Sequence, residues 1–294
     1  MDGFTRKNHG NSHSYYLNGV KIPGVTSIIG VLAKDALVEW AGKTTARYAI
    51  DNWARLAGMP EIDRYEELRK ARYNTTREAA VRGKRIHSLA ERIMRGDEIS
   101  TEDNSLRQAA QVYADLLDEW DLEPIGIELP CVSKAYSYAG TMDGIFYSPR
   151  LGTVVADVKT GKNVYSEVAL QLAAYRYADF YLKEQERFGP RGGKLKSAWV
   201  EKPMPAVDGA VAIHIARETD ESPASARLVP VRADEQIWDV FLFLREIQER
   251  WVDRTAFSNR TSPNYAPPVG EELHPEMTDD QIRAALGLEE ESFA

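Results

Sequence analysis

Residues 138–175 read YAGTMDGIFYSPRLGTVVADVKTGKNVYSEVALQLAAY, and the expected architecture follows from this segment. Two apolar runs rich in β-branched residues, 138–147 and 152–159, flank a Ser-Pro-Arg-Leu-Gly turn signal. Such runs are typical of buried strands. Because only this turn separates them, we predict that the two strands pair as an antiparallel hairpin.

The hairpin contains acidic residues on both of its strands. Asp143 lies in the first strand, and Asp157 and Lys159 lie two residues apart at the end of the second. Since side chains alternate between the faces of a strand, Asp157 and Lys159 share one face. Two carboxylates that converge in an apolar setting need a counter-charge. We therefore predict a hard divalent cation, Mg²⁺ or Mn²⁺ and not zinc, because the ligands are carboxylate oxygens.

The predicted chemistry is phosphodiester hydrolysis. A divalent cation stabilises negative charge on a phosphodiester and lowers the pKa of a bound water. The ammonium group of Lys159, held beside it, is expected to orient or activate that water and to offset charge in the transition state.

Each of these residues taken alone has a common structural role. An isolated Asp-x-Lys is usually a solvated strand end, and the Asp143-Gly dipeptide is a frequent turn signal. A lone His87 is more often a surface or core histidine than a ligand. Gln171 and Tyr175, one helical turn apart, are ordinary helix residues by themselves. The combination, in this order and at these spacings, predicts a functional site.

The pattern resembles the PD-(D/E)XK nuclease superfamily, and within it the RecB-like exonuclease branch that includes CRISPR-associated nucleases and phage-type members. The likeness spans most of the chain up to about Trp251. It rests on GTMD at 140–143, DVKTG at 157–161, QLAAY at 171–175, GKRIH at 83–87, IELPCVS at 127–133 and YYLNGVKIPGVTSII at 15–29.

The resemblance implies a role for each matching residue in metal binding or catalysis. Asp143 and Asp157 would bind the metal, and Lys159 would assist the attacking water. His87 would be a further metal ligand. Glu128 corresponds to an acidic position that in some relatives helps to hold a second ion, although a carboxylate on a strand is equally often a salt-bridge partner.

The resemblance also implies that Gln171 and Tyr175 line the site and contact the substrate phosphate or the catalytic groups. The chain departs from the CRISPR-associated relatives in one respect. Those proteins bind an iron–sulfur cluster through four cysteines, whereas Cys131 is the single cysteine here. We therefore expect no iron–sulfur cluster. His9, His13, His214 and His274 have no partners at metal-ligand spacing and are interpreted as structural or solvent-exposed.

The expected fold class is mixed α/β. A restriction-endonuclease-like core would contain a central mixed sheet flanked by helices, preceded by a helical N-terminal region. We predict one nuclease domain over residues 1–256, with the helical part at about 23–120 and the catalytic core at about 121–256. An acidic, flexible tail would follow at 257–294. Within the core, the sequence pattern predicts strands at 125–133, 138–147, 152–159, 210–216 and 227–231, and helices at 166–186 and 234–251.

The net charge of -8 is concentrated near the C-terminus, since residues 271–294 contribute -7. Residues 41–95 have an excess of six positive charges around His87. Neutralisation of phosphates supplies most sequence-independent affinity for nucleic acid. The candidates for this contact are Arg77, Arg82, Lys84 and Arg85, and the alternative is a solvated helix face.

The leading functional hypothesis is a DNA exonuclease that depends on Mg²⁺ or Mn²⁺. It would act on single- or double-stranded DNA in recombination, replication or processing, with a helicase, recombinase or single-strand-binding protein as a possible partner. The alternatives are a DNA- or partner-binding module of the same fold with little catalysis, and a structure-specific endonuclease. No membrane association is expected, and the single cysteine favours the cytoplasm, the host cytoplasm if the protein is phage-encoded.

Overall fold

The structure is a computed structural model that describes residues 3–9, 12–32, 35–188, 194–219 and 222–253, together with 274, 276–278 and 280–282. The chain divides into a compact unit over Met1–Leu244 and a smaller one over Arg245–Ala294. Most of the predicted tail at 257–294 lies outside the described residues. In the part that is described, no helix combines the length and the apolar character that a membrane span requires.

The described residues form ten strands in two sheets. The strands are β1 Phe4–His9, β2 Ser12–Leu17, β3 Val20–Ile22, β4 Glu123–Ser133, β5 Tyr138–Ser148, β6 Gly152–Lys159, β7 Phe180–Phe188, β8 Lys194–Pro203, β9 Gly209–Ala216 and β10 Ser225–Pro230. The large sheet has the order β10-β9-β6-β5-β4-β7-β8. Within it β6 and β9 are parallel, and the other neighbours are antiparallel. The predicted mixed α/β class and the β5–β6 hairpin are confirmed.

Helices cover both faces of the large sheet. They are α1 Val25–Ile29, α2 Asp35–Asp51, α3 Trp53–Leu56, α4 Glu61–Met94, α5 Asn104–Glu119, α6 Glu167–Arg176 and α7 Glu235–Ile247, with a π-helical turn at Gln248–Val252. Side chains of α4 and α5 pack with Val158 and Ile213 on one face. Side chains of α1, α6 and α7 pack with Met142 and Ala212 on the other face. Because Val158 points to the first face, Asp157 and Lys159 point to the second.

The N-terminal strands form a small sheet of their own in the order β1-β2-β3. The β2–β3 turn places Asn18 at φ 51° and Gly19 at φ 82°, the left-handed conformation that Asn-Gly hairpin turns adopt. The hydroxyl of Tyr15 lies 2.9 Å from that of Thr141. This bond ties the small sheet to β5, two residues from Asp143.

The predicted helix at 166–186 is wrong in its second half. Helix α6 ends at Arg176, and the chain continues as the antiparallel pair β7–β8. Helix-favouring Lys, Glu and Gln residues at 183–186 suggested a longer helix. Tertiary contacts overrule that propensity, because Asp179 donates its backbone N–H to Val132 and accepts from the Lys134 N–H at 2.7 Å, which directs the chain along β4. The sequence FGPRGGK at 188–194 predicts a flexible connector, and this segment lies for the most part outside the described residues.

Candidate metal centre

The site begins where β5 and β6 part. The β5–β6 register pairs Gly144 with Ala156, so the next residues along, Asp143 and Asp157, lie opposite each other. Beyond this pair, the backbone N–H of Val158 bonds to the side chain of Asp143 instead of to a backbone carbonyl of β5. Oδ2 of Asp143 accepts this hydrogen bond at 2.7 Å. The sheet thereby orients Asp143 through a backbone donor.

Two side chains converge on Asp143. His87 from α4 places Nδ1 3.2 Å from Asp143 Oδ2. Glu128 lies opposite Asp143 on β4, between the paired residues Ile127 and Leu129. His87, Glu128 and Asp143 offer ligand atoms that all lie within 4.8 Å of one another, and they form the one such three-residue group among the described residues.

Glu128 has an unusual backbone conformation, with φ at 50°. A non-glycine residue in the left-handed region costs on the order of 1 kcal/mol and is concentrated at functional sites. Local hydrogen bonding makes this conformation easier for Asn or Asp, but Glu has no such compensation. The chain therefore retains a strained residue at the position where its carboxylate meets His87 and Asp143.

The group has the electrostatics of a cation site. Burial, the negative charge of Asp143 and that of Glu91 raise the pKa of Glu128 to about 7. Burial alone would lower the pKa of His87, but its hydrogen bond to Asp143 and the charge of that carboxylate outweigh burial and raise it. Both shifts have the negative charge of Asp143 as a cause, so the group attracts positive charge.

The donor set fits a divalent metal ion. The group offers two carboxylates and one imidazole nitrogen. Mn²⁺ binds both kinds of ligand readily, and Mg²⁺ binds the carboxylates. Both contacts of Asp143, to His87 and to Val158, use Oδ2. Its Oδ1 makes no hydrogen bond to the described residues and is available as a ligand.

Asp157 belongs to a second, adjoining network. Lys159 Nζ lies 2.5 Å from Asp157 Oδ2, and it donates to Gln171 Oε1 at 3.0 Å. The amide nitrogen of Gln171 donates to Asp157 Oδ1 at 2.6 Å and to the Tyr175 hydroxyl at 3.1 Å. Asp157 is 3% exposed, and its burial, together with the nearby Asp143, raises its pKa. The ion pair with Lys159 opposes that rise.

Tyr175 is the last member of this network, and its hydroxyl accepts a hydrogen bond from Gln171. It is buried, and burial raises its pKa well above the ordinary value. A β-carbon on Gly140 would come closer to the Tyr175 ring than van der Waals contact allows. A glycine in β5 is therefore what lets Tyr175 sit against the sheet and contact Gln171.

The structure thus divides the predicted site residues between two neighbouring clusters. His87, Glu128 and Asp143 form the candidate metal group, and Asp143 is the link to Asp157 through their mutual repulsion. Asp157, predicted as a metal ligand, has Lys159 and Gln171 as its contacts. Gln171 contacts both Lys159 and Tyr175. The spacing of one helical turn predicts the contact between Gln171 and Tyr175.

Two residues next to the site were not recognised from the sequence. Gly83, one turn before His87, lies so near Thr160 that a β-carbon there would be 3.3 Å from the Thr160 hydroxyl oxygen. His214 pairs with Lys159 in the parallel register, is 2% exposed, and has Nε2 2.8 Å from the Gly161 carbonyl oxygen. It is therefore structural, as expected, but adjacent to Lys159. The apolar run GAVAIHIA at 209–216 was the signal that its histidine would be buried.

The predicted basic residues lie in two different clefts. Lys84 lines a cleft with His87, Glu91 and Glu128. Arg77, Arg82 and Arg85 line a separate cleft. The positive charge along α4 is therefore not a single surface around His87.

Neither a scan against models of known protein families nor a search of curated proteins finds a match for this chain. Any function assigned to it depends on its residues and their geometry.

Proposed function

We propose that this chain is a divalent-metal-dependent deoxyribonuclease, an exonuclease of the PD-(D/E)XK type that hydrolyses phosphodiester bonds. The main support is the convergence of His87, Glu128 and Asp143 within 4.8 Å of one another, beside a lysine held by Asp157 and Gln171. These groups come from three adjacent strands, β4, β5 and β6, and from two helices distant in sequence, α4 and α6.

The metal group and the lysine have separate roles in this proposal. His87, Glu128 and Asp143 would hold the cation, which when bound stabilises negative charge on a phosphodiester and lowers the pKa of water. Lys159 would present to the phosphate the positive charge that its ion pair with Asp157 holds in place. Gln171 orients both Lys159 and Asp157, because its amide oxygen accepts from one and its amide nitrogen donates to the other.

The proposal is tested with DNA cleavage by purified variants. In Mn²⁺, Asp143→Asn and Lys159→Ala should each reduce the rate by about 100-fold or more, since each removes a group that acts on the transition state. Glu119→Gln is the matched control, because it removes an exposed carboxylate on α5 that belongs to neither the metal group nor the Asp157 network. Retention of metal-dependent cleavage by both site variants at the control rate contradicts the assignment.

The mode of attack is tested with substrates that differ in their ends. An exonuclease degrades end-labelled linear DNA and leaves circular single-stranded DNA intact in Mg²⁺ or Mn²⁺. Cleavage of the circle identifies an endonuclease with the same chemistry. Binding of DNA with no cleavage in either metal favours a binding module instead.

A further inference from the structure

A second cleft lies beside α4, formed by groups that play no part in the candidate metal centre. It has a volume of about 670 Å³. Its walls come from α4, from the start of α5 and from the segment after β9. The lining residues are Asn74, Arg77, Glu78, Val81, Arg82, Arg85, Asp103, Ser105, Leu106 and Arg217.

The cleft is on the far side of α4 from His87. An α-helix turns about 100° per residue, so Arg85 and His87, two residues apart, project on nearly opposite sides. Arg77 and Arg85 are eight residues apart, which spaces them by about 12 Å along the helix axis. The cleft is therefore elongated along α4 and separate from the metal group.

The four arginines that line the cleft outnumber its carboxylates. The lining has four arginines and two carboxylates, an excess of two positive charges. One carboxylate, Asp103, already accepts the Leu106 N–H at the start of α5. Within the described ranges, Arg77, Arg82, Arg85 and Arg217 form no hydrogen bond or ion pair.

Two of these arginines, Arg82 and Arg217, lie near enough for their charges to interact. Burial, and secondarily the positive charge of Arg217, lower the pKa of Arg82. Arg217 reaches this position because the next residue, Glu218, accepts a hydrogen bond from Gln108 of α5 at 2.8 Å. An anion bound between like charges relieves their repulsion, and guanidinium groups form strong charge-assisted hydrogen bonds with phosphate.

We infer that this cleft binds the backbone phosphates of a nucleic-acid strand, at a site separate from the metal centre. Guanidinium groups match phosphate geometry, and their spacing along α4 suits a row of charges better than a single anion. Among the described residues no aromatic ring lines the cleft, so they offer no stacking surface for a base. The choice of nucleic acid as the ligand rests on the proposed function, whereas the preference for phosphate groups does not.

The test is binding of labelled DNA in chelator, where hydrolysis plays no part. The double variant Arg85→Gln with Arg217→Gln removes two exposed arginines of the cleft, and its fold is checked by thermal unfolding. Lys43→Gln with Lys70→Gln removes the same charge from exposed positions on α2 and α4 and is the matched control. The cleft variant should bind about tenfold more weakly, and its slope of log affinity against log salt should fall by about 1.4 to 1.8, while the control changes by far less.

The outcomes separate this inference from the proposed function. Weakened binding in the cleft variant, with no cleavage by the wild type, supports the cleft and contradicts the nuclease proposal. If the cleft variant and its control bind DNA equally well, the inference that the cleft binds nucleic acid is wrong, even if the wild type cleaves DNA. Calorimetry tests the binding of inorganic triphosphate. If the wild type binds it, the cleft variant does not, and DNA binding is the same in both proteins, the ligand is a free phosphate compound and not nucleic acid.

Discussion

At the scale of single residues, Gln171 is the side chain that connects Asp157, Lys159 and Tyr175 in one hydrogen-bond network. It accepts from Lys159 and donates to Asp157 and Tyr175. An amide can do both, whereas a carboxylate can only accept. The neutral donor at this position is therefore a chemical requirement of the network.

Gln171→Glu should reduce metal-dependent DNA cleavage by at least about tenfold. The new carboxylate would repel Asp157, compete for Lys159 and lose the donation to Asp157. The measurement is the cleavage rate as a function of pH, with the exposed Gln111→Glu on α5 as control. Rates that match those of the control at every pH would show that Gln171 does not organise the site.

The raised pKa of Glu128 predicts that the stability of the protein depends on pH. Its ordinary pKa is 4.5, and in the fold it is raised to about 7. Between these values the folded state binds more protons than the unfolded state, so the free energy of unfolding falls as pH rises from 4.5 to 7. The contribution is at most about 3 kcal/mol.

Glu128→Gln should therefore stabilise the metal-free protein at pH 8 relative to the wild type, and have little effect at pH 4.5. Denaturant unfolding in chelator at both pH values measures the difference. Glu119→Gln should change neither value. An equal effect of Glu128→Gln at the two pH values would argue against a raised pKa.

At the scale of elements, the site depends on how α6 packs against β5. Tyr175 lies against Gly140, and this contact sets the depth of the helix above the sheet. Interiors are packed so closely that one added methyl group forces side chains or backbone to move. The position of Gln171, one turn before Tyr175, depends on the same contact.

Gly140→Ala should destabilise the protein by about 1–3 kcal/mol through overpacking and should also slow DNA cleavage, because Tyr175 and Gln171 move together. Gly209→Ala is the matched control, since a β-carbon there would lie 3.7 Å from Val154 in ordinary contact. Thermal unfolding and cleavage rates of both variants are compared. If Gly140→Ala proved as stable and as active as Gly209→Ala, the packing argument would fail.

The sequence pattern identified the elements of the site better than the elements around it. The apolar runs at 138–147 and 152–159 predicted β5 and β6, and both are present. Strands β7 and β8 were missed, because the charged residues at 183–186 favour a helix and the pairing of β7 with β4 is a contact distant in sequence. Local propensity contains no information about such a partner.

At the scale of the whole molecule, a bound cation should stabilise the fold. A ligand that binds only the folded state adds about 2.7 kcal/mol of stability at 100 times its Kd. Mn²⁺ should therefore raise the Tm by several degrees, and chelator should reverse the increase. This measurement needs no nuclease activity.

His87→Ala should lose most of the Mn²⁺-dependent rise in Tm, because one of three ligands is removed. His274→Ala is the control, since this histidine is exposed and distant in sequence from the metal group. An equal rise in Tm in wild type and His87→Ala would place the binding of Mn²⁺ elsewhere.

The sequence by itself determined the β5–β6 hairpin and the shared face of Asp157 and Lys159, because alternation along a strand is a local property. Only the tertiary structure decided that Glu128 and His87, from β4 and α4, meet Asp143 while Asp157 pairs with Lys159. It also decided that the arginines of α4 face a different cleft from His87. These outcomes depend on which elements pack together, and the free energy of that packing comes from residues far apart in the chain.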